Sequence, residues 1–273
     1  MQLATQAVLT DLFVLSIFSL VLALAAFGWI RREHPHLGWE TQGNVWTGPF
    51  QLSDLLIGGL LLLFFGSLVS ASGAESPQVE DISPALLIVD RLLWLCIAGG
   101  LIASLAFRGE RLDEILGLKR KRWGGTLVWG LLAAVAGWAA AIVAIWFGQR
   151  LLFQQAWGEQ EVQPLVEFLR DSDSLGLLSL LFLSVCILAP LCEEAVFRGF
   201  LYPAIKRFSD RFFAAIFTSL LFGLIHGNVT LVLPLFALAL VLTLSYELSG
   251  SLWVPVVGHA AFNGVTFFSE VLR

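Results

Sequence analysis

The chain has 273 residues, of which 58% are hydrophobic and 14% charged, and its formal net charge is -5. Soluble globular proteins carry about 25% charged residues, so this composition excludes an ordinary soluble domain. It predicts an all-α polytopic membrane protein that lies in the lipid bilayer. The net charge itself says little about partners, because the orientation of a membrane protein follows the placement of Lys and Arg.

About eight transmembrane helices are predicted in chain order, because a span needs roughly 20 apolar residues, with seven or nine as the alternatives if an end piece is re-entrant. The first ends in Arg31 and Arg32 and follows a start without Lys or Arg, so we interpret it as a retained span rather than a cleaved signal peptide. Residues 212–246 contain no Asp, Glu, Lys or Arg, and "HGN" with Pro234 is predicted to break this run. The predicted spans are 12–30, 55–73, 86–107, 127–146, 177–204, 212–227, 231–248 and 252–271. All of them are assigned to one membrane domain, 1–273, in which residues 177–272 carry the candidate site.

Basic residues are concentrated in alternate loops. Residues 108–122 contain six of them, and more follow the first and fifth predicted spans. The intervening loops are acidic, with Glu75, Glu80 and Asp81 in one and Glu159, Glu161, Glu167, Asp171 and Asp173 in the other. Because positively charged loops face the cytoplasm, we predict that the basic loops are cytoplasmic and that both termini are external.

The stretch "PLCEEAVFRGFLYP" places three charged residues inside the apolar fifth span. Ionisable groups inside a span are costly and indicate function by default. On a helix, Glu194 and Arg198 are four residues apart and can pair, whereas Glu193 points about 100° away. We therefore predict a supporting role for the pair and a chemical role for Glu193.

Two of the four histidines, His226 and His259, lie in apolar segments, while His34 and His36 lie in a loop and are interpreted as exposed. A single His in a membrane helix commonly makes only a hydrogen bond between helices. Two of them together with Glu193 favour a functional site instead, because lipid tolerates such residues so rarely.

The depths of these residues in the membrane are predicted to agree. At 1.5 Å per residue, Glu193 and His226 lie about 20 Å and about 22 Å from the basic turn that separates their helices. His259 and Asn263 lie about 14 Å and about 20 Å from the next turn on the same side, and they share one helix face. Three helices are thus predicted to bring the four side chains to one level.

An acid, two imidazoles and a carboxamide suit the hydrolysis of an amide by water. Glu193 can act as a general base toward water, with His226 orienting that water. His259 and Asn263 can donate hydrogen bonds to the developing oxyanion. The alternative is a zinc site with His226, His259 and Glu193 as ligands, although the helix-borne H-E-x-x-H pattern is absent from the sequence.

The three cysteines, Cys96, Cys186 and Cys192, lie in apolar runs and are odd in number. We interpret them as buried, inert thiols rather than as a disulfide framework. An apolar environment also argues against Cys192 as a nucleophile.

Three motifs resemble those of the CPBP family (CAAX protease and bacteriocin-processing, or Abi) of intramembrane proteases. "EEAVFRG" matches its E-E-x-x-x-R motif, "FGLIH" its F-x-x-x-H motif and "HAAFN" its H-x-x-x-N motif. The resemblance implies an eight-helix membrane fold, with Glu193 as base, His226 as its partner, and His259 and Asn263 at the oxyanion. It further implies that Glu194, Arg198 and Phe222 support the site.

Eukaryotic members of that family remove the last three residues of prenylated CAAX proteins. The resemblance therefore implies an intramembrane endopeptidase in the bacterial plasma membrane, with its active site reached from the cytoplasmic side. It implies a membrane-associated polypeptide as substrate, no nucleic-acid partner and no required cofactor, with zinc as the alternative.

Two other classes of function are weighed against the enzyme. A proton-coupled transporter would also hold buried Glu and His residues, but such proteins commonly have broken helices in both halves. Here the polar residues crowd the last four spans, and the exceptions, Asp90 and Arg91, are predicted near the outer end of their helix. The other alternative is a catalytically inactive immunity or scaffold protein, which the intact polar set argues against.

Overall fold

A computed structural model describes residues 2–35, 43–72, 83–148 and 174–272 of the chain. Within these ranges the regular secondary structure is helical, without a strand. The helices are α1 (Gln2–Glu33), α2 (Leu52–Ser72), α3 (Pro84–Phe107), α4 (Leu112–Ile115), α5 (Trp123–Phe147), α6 (Leu175–Phe208), α7 (Arg211–Leu224), α8 (Val229–Ser249) and α9 (Trp253–Val271). His36 and the acidic residues predicted to face outward lie outside the described residues.

Six of these helices, α1, α2, α3, α5, α6 and α8, are long and apolar enough to cross a membrane. The all-α membrane fold is thereby confirmed, with six helices of spanning length among the described residues, where about eight are predicted. The shorter helix α7 has 14 residues and extends about 21 Å, less than the roughly 30 Å of a bilayer core. Helix α9 covers the last predicted span, but His259, Asn263 and Glu270 make it less apolar.

The large apolar side chains on the outer helices are exposed, as a surface in contact with lipid requires. Along α2, Leu56, Leu60 and Leu63 are 67%, 67% and 58% exposed, and their spacing places them on one helix face. A continuous apolar face of this size is rare on a soluble monomer. The exposed stripe on α2 is therefore assigned to the lipid.

Helix α6 contains two π-helical segments, Leu183–Leu188 and Phe197–Leu201. Each precedes a proline, Pro190 or Pro203, which has no N–H and whose ring clashes with the carbonyl four residues earlier in a regular α-helix. A wider π turn relieves that clash without ending the helix, and such turns are frequent at functional sites. The sequence "APLCEEAV" between the segments carries both glutamates.

The break between α7 and α8 falls at residues 225–228 rather than at Pro234. Gly227 adopts φ +67°, a conformation that favours glycine. Asn228 then accepts a hydrogen bond from the N–H of Thr230 at 2.9 Å, which satisfies the first turn of α8. Pro234 lies inside α8, so its predicted part in the break is wrong.

Small residues allow α5 to pack closely against α8 and α9. A Cβ at Gly130 of α5 would lie 2.5 Å from a methyl carbon of Val257 in α9, and one at Gly137 would lie 2.6 Å from Leu238 in α8. Close packing through small residues is the usual way in which membrane helices associate. It fixes α9 beside the middle of α6, where α3 also packs.

A buried ion pair near the end of α6 connects three parts of the chain. Lys206 is fully buried and donates to both carboxylate oxygens of Glu247 in α8 at 2.9 Å and to the Val45 carbonyl at 3.1 Å. Tyr202 donates to Glu247 Oε2 at 2.5 Å. These bonds hold the end of α6 against α8 and against the segment that precedes α2.

Candidate active site

Glu194 is the centre of a buried network at the middle of α6. Its Oε1 atom accepts a hydrogen bond from Arg198 Nη1 at 2.8 Å and one from His259 Nδ1 at 2.9 Å. The side chains of Glu194 and Arg198 are 0% and 1% exposed. The predicted pairing of these two residues is therefore present, and His259 joins it from α9.

The Arg198 guanidinium is surrounded by acceptors and by an aromatic ring. Its Nε donates to Thr243 Oγ1 at 3.3 Å and its Nη2 to the Ala239 carbonyl at 2.8 Å, both on α8. The same guanidinium lies 5.0 Å from the centre of the Phe222 ring, a distance at which a cation and an aromatic face attract each other. Arg198 thus connects α6, α7 and α8 around Glu194.

Glu193 lies beside this network, and its nearest charged or polar neighbours are His259 and Arg91. It is buried, its Oε2 lies 3.9 Å from His259 Nε2, and its Oε1 lies 4.0 Å from Arg91 Nη1. Both distances exceed the usual hydrogen-bond length of about 3.2 Å. Within the described part of the chain, Glu193 is thus a buried carboxylate with charged or polar neighbours and no direct hydrogen bond to them.

Arg91 of α3 was not predicted as part of the site. The sequence places it in the first half of the chain, near the end of its helix that is predicted to be the outer one, and this position gave no indication of its approach to Glu193. In the structure α3 packs on the part of α6 that carries Glu193. A charged pair, Asp90–Arg91, inside an otherwise apolar helix was the signal that could have identified it.

His259 contacts both glutamates through its two ring nitrogens. A carboxylate only accepts hydrogen bonds, so the Nδ1 atom that faces Glu194 carries a proton. In the neutral ring, Nε2 then presents a lone pair toward Glu193, and it becomes a donor only when the ring is the imidazolium. The role of His259 as an oxyanion donor therefore requires the charged form of the ring.

His226 lies in the turn that follows α7 and is exposed. Its Nδ1 lies 2.7 Å from the Phe222 carbonyl, which can only accept, so Nδ1 carries the proton and Nε2 of the neutral ring is an acceptor. The Phe222 ring centre lies 5.0 Å from that of His226 and 5.7 Å from that of His259. Both imidazoles therefore flank the same phenyl ring.

Asn263 is half-buried and donates from Nδ2 to the Val185 carbonyl at 2.9 Å. In a π turn the partner of that carbonyl is the N–H five residues later, which here is Pro190 and has none. Asn263 thus satisfies a carbonyl that the proline leaves free, and one N–H of its amide remains for another acceptor.

The arrangement does not match a zinc shell. Among the residues that the structure describes, no three His, Cys, Asp or Glu side chains converge as a metal-binding group. The Nε2 atoms of His226 and His259 are left for a ligand, but Arg91 places a fixed positive charge beside Glu193, the third candidate zinc ligand. The His226, His259 and Glu193 side chains are therefore not arranged as a zinc shell.

The cysteines differ in their surroundings. Cys186 and Cys192 are buried and free, as predicted, whereas Cys96 is exposed on α3. Cys192 is buried although it adjoins Glu193 in the sequence.

One family model matches the region that builds this network. Residues 175–265 match the family described as type II CAAX prenyl endopeptidase Rce1-like. The match covers the glutamates of α6, the turn with His226 and the polar residues of α9, while the helices before α6 lie outside it.

Two curated proteins resemble the chain over part of its length. YdiL of Bacillus subtilis (strain 168), described as a candidate membrane peptidase, is 26% identical over 91 residues, which are 33% of this chain and 37% of that protein. The membrane-embedded CAAX protease MroQ of Staphylococcus aureus (strain USA300) is 30% identical over 129 residues, 45% of this chain and 51% of that protein. The matched segments thus span about half or less of these relatives. No solved structure gives a significant match.

Proposed function

We propose that this chain is an intramembrane endopeptidase of the CPBP family, because residues 175–265 match the Rce1-like model and carry the three motifs. It hydrolyses a peptide bond near the C-terminus of, or within, a membrane-associated polypeptide. The observation that carries this proposal is the position of Glu193, a buried carboxylate beside an imidazole and a guanidinium.

Glu193 is the proposed general base toward water. In the first step, the water oxygen bonds to the peptide carbonyl carbon, one water proton passes to Glu193, and the carbonyl electron pair moves onto oxygen. In the second step that pair returns, the carbon–nitrogen bond breaks, and the proton passes from Glu193 to the leaving nitrogen. The products are a new carboxyl terminus and a new amino terminus.

His226 and His259 assist at two different places. The Nε2 lone pair of neutral His226 accepts a hydrogen bond from the attacking water and so orients it. His259, as the imidazolium, and the free N–H of Asn263 donate to the oxygen on which charge develops. Glu194 fixes the His259 ring, and it is itself held by Arg198.

Phe222 acts in this scheme through packing rather than chemistry. Its buried ring contacts His226, His259 and the Arg198 guanidinium. Loss of the ring would release all three side chains at once. We therefore class Phe222 as a positioning residue.

The substrate class follows from where the site lies. A carboxylate within membrane-spanning helices is reached by polypeptides that are themselves attached to the bilayer. We propose the side of the basic loops, the cytoplasmic face of a bacterial plasma membrane, as the side of access, because such loops are retained inside. Because the similar protein MroQ is described as a CAAX protease, prenylated CAAX-type peptides are the first substrates to test.

Cleavage of defined peptides by the purified protein tests the proposal. Prenylated and unprenylated C-terminal peptides are incubated with wild-type protein and with Glu193→Gln in detergent and in liposomes, with and without chelator, and mass spectrometry locates any cut. We expect cleavage by wild type alone, unchanged by the chelator. Absence of cleavage of any membrane-attached peptide by wild type would contradict the proposed activity.

A further inference from the structure

Arg91 is a charged side chain within an apolar helix, the eighth of the 24 residues of α3. Placing arginine in a span is costly, and such residues nearly always face the protein interior, where they pair or act on a ligand. Arg91 follows this rule, because its side chain is 19% exposed and lies toward α6.

One edge of the Arg91 guanidinium is fully engaged. Its Nε donates to Asp90 Oδ2 at 2.8 Å, and its Nη2 donates to the same oxygen. The Asp90 side chain is 47% exposed. This pairing orients the guanidinium plane and leaves Nη1 as the edge that points to the site.

The Nη1 atom is buried and has no hydrogen-bond partner among the described residues. It lies 4.0 Å from Glu193 Oε1, too far for a direct hydrogen bond. A reacting atom must lie about 3 Å from both the base and a donor. Because Nη1 and Oε1 are 4.0 Å apart, an atom beside the line between them can lie about 3 Å from each. A donor of fixed positive charge therefore lies free beside the proposed base.

The other two proposed donors, His259 and Asn263, each use one N–H in a hydrogen bond within the protein. His259 donates toward a substrate only as the imidazolium, because its Nδ1 proton faces Glu194. Asn263 uses one N–H on the Val185 carbonyl. Arginine, in contrast, is always charged and always a donor.

We propose that Arg91 is a further catalytic residue, whose Nη1 donates a hydrogen bond to a negatively charged oxygen of the substrate beside Glu193. This inference rests on the proposed peptidase function. Such an oxygen has two sources, the oxyanion formed when water attacks the carbonyl and the terminal carboxylate of a short segment that is released. Arg91 supplies the same chemistry to either, namely a charge-assisted hydrogen bond in a dry environment.

Three variants separate this role from a structural one. Arg91→Gln keeps a polar group but removes the charge, and we expect it to lower turnover or kcat/KM by about 10²–10³. Arg91→Lys keeps the charge without the fixed geometry and should fall between Arg91→Gln and wild type. Asp90→Asn is the matched control, since its amide oxygen still accepts from Nε and Nη2 of Arg91 and keeps the guanidinium in place while the negative charge is lost, and we expect a loss below about fivefold.

Two peptides of one sequence, with a free or an amidated C-terminus, identify the oxygen. If Arg91 acts on the oxyanion, Arg91→Gln lowers kcat on both peptides by the same factor. If it acts on the terminal carboxylate, wild type prefers the free acid, and Arg91→Gln raises KM for that peptide and removes the preference. Either pattern supports the proposal and assigns the source.

The inference and the proposed function fail in different ways. Wild type that cuts neither peptide contradicts the peptidase function and this inference with it. If wild type cuts the peptides and the turnover of Arg91→Gln stays within about threefold of wild type on both, only the proposed role of Arg91 is overturned. The same follows if Asp90→Asn loses as much turnover as Arg91→Gln. Should Arg91→Gln fail to fold, the double variant Asp90→Asn/Arg91→Gln, which removes both charges together, is held to the same limits.

Discussion

Glu194 and His259 are joined by a hydrogen bond of 2.9 Å between Oε1 and Nδ1, although they lie 65 residues apart in the chain. This bond connects α6 to α9 and sets which ring nitrogen faces Glu193. The adjacent glutamates therefore differ in kind, because one orients an imidazole and an arginine while the other has no direct hydrogen bond within the described residues. Glu193 and Glu194 thus have different proposed roles because they point in directions about 100° apart on the same helix.

Glu194→Gln should lower the stability of the protein as well as its activity. The change leaves the Arg198 guanidinium buried without its counter-charge, and breaking a buried pair in this way costs about 3–5 kcal/mol. Thermal unfolding in detergent measures the effect, with Glu193→Gln as the matched control for loss of a neighbouring carboxylate. Equal melting temperatures of the two variants would contradict the division of roles.

Phe222→Leu should reduce activity more than it reduces stability. The substitution keeps an apolar side chain but removes the ring that contacts both imidazoles and the Arg198 guanidinium. We expect a lower kcat in a protein that still purifies as a folded species. Phe217→Leu, which changes a buried ring on the same helix away from the site, is the control. Equal effects of both substitutions on kcat would show that general packing explains the loss.

Asn263→Ala should be strongly impaired and His226→Ala more so. Loss of one oxyanion donor costs about 10²–10³ in turnover, whereas loss of His226 disturbs the attacking water itself. Single-turnover cleavage by each purified variant measures the order. A wild-type kcat in Asn263→Ala would contradict its role as an oxyanion donor. Asn263 would then have only its structural contact with the Val185 carbonyl.

The pair of Lys206 and Glu247 should matter for stability rather than for chemistry. Glu247→Gln leaves Lys206 buried with a weaker partner and should destabilise the protein by about 3–5 kcal/mol. The double variant Lys206→Met/Glu247→Gln should recover part of this loss, because no unpaired charge remains. Denaturation curves of the single and double variants test this, and a double variant less stable than Glu247→Gln would contradict it.

The sequence predicted those parts of the site that depend on local helix geometry. The pairing of Glu194 with Arg198 follows from a spacing of four residues, and it is present in the structure. The approach of Arg91 to Glu193 could not be predicted in this way, because it depends on which face of α3 packs against α6. Likewise, the contact of Asn263 with the Val185 carbonyl depends on how α9 packs beside a π turn of α6.

Hydropathy alone fixes neither the ends of helices nor the exposure of single side chains. It identifies apolar residues but not the length of the helix that contains them, and the predicted span 212–227 corresponds to α7, which has 14 residues. Pro234 was expected to end a helix, yet α8 continues through it. Cys96 was expected to be buried because its neighbours are apolar, but an apolar run in a membrane protein also has a face that meets lipid.

Orientation in the membrane is tested by labelling. We expect single cysteines at Lys121 and Arg207, in a background without the native three, to resist an impermeant thiol reagent added to intact cells. The reason is that basic loops are retained on the cytoplasmic side. The same cysteines should react after the membrane is permeabilised. Ready labelling of both positions in intact cells would reverse the proposed orientation.

The most direct test of the account compares wild type with Glu193→Gln on one membrane-attached peptide, followed by mass spectrometry. The substitution keeps the volume of the side chain and removes its ability to take a proton from water. We expect a defined cut by wild type and a rate lower by about 10³ for the variant, with melting curves that show both proteins folded. Turnover near that of wild type in a folded Glu193→Gln protein would contradict the assignment of Glu193 as the base.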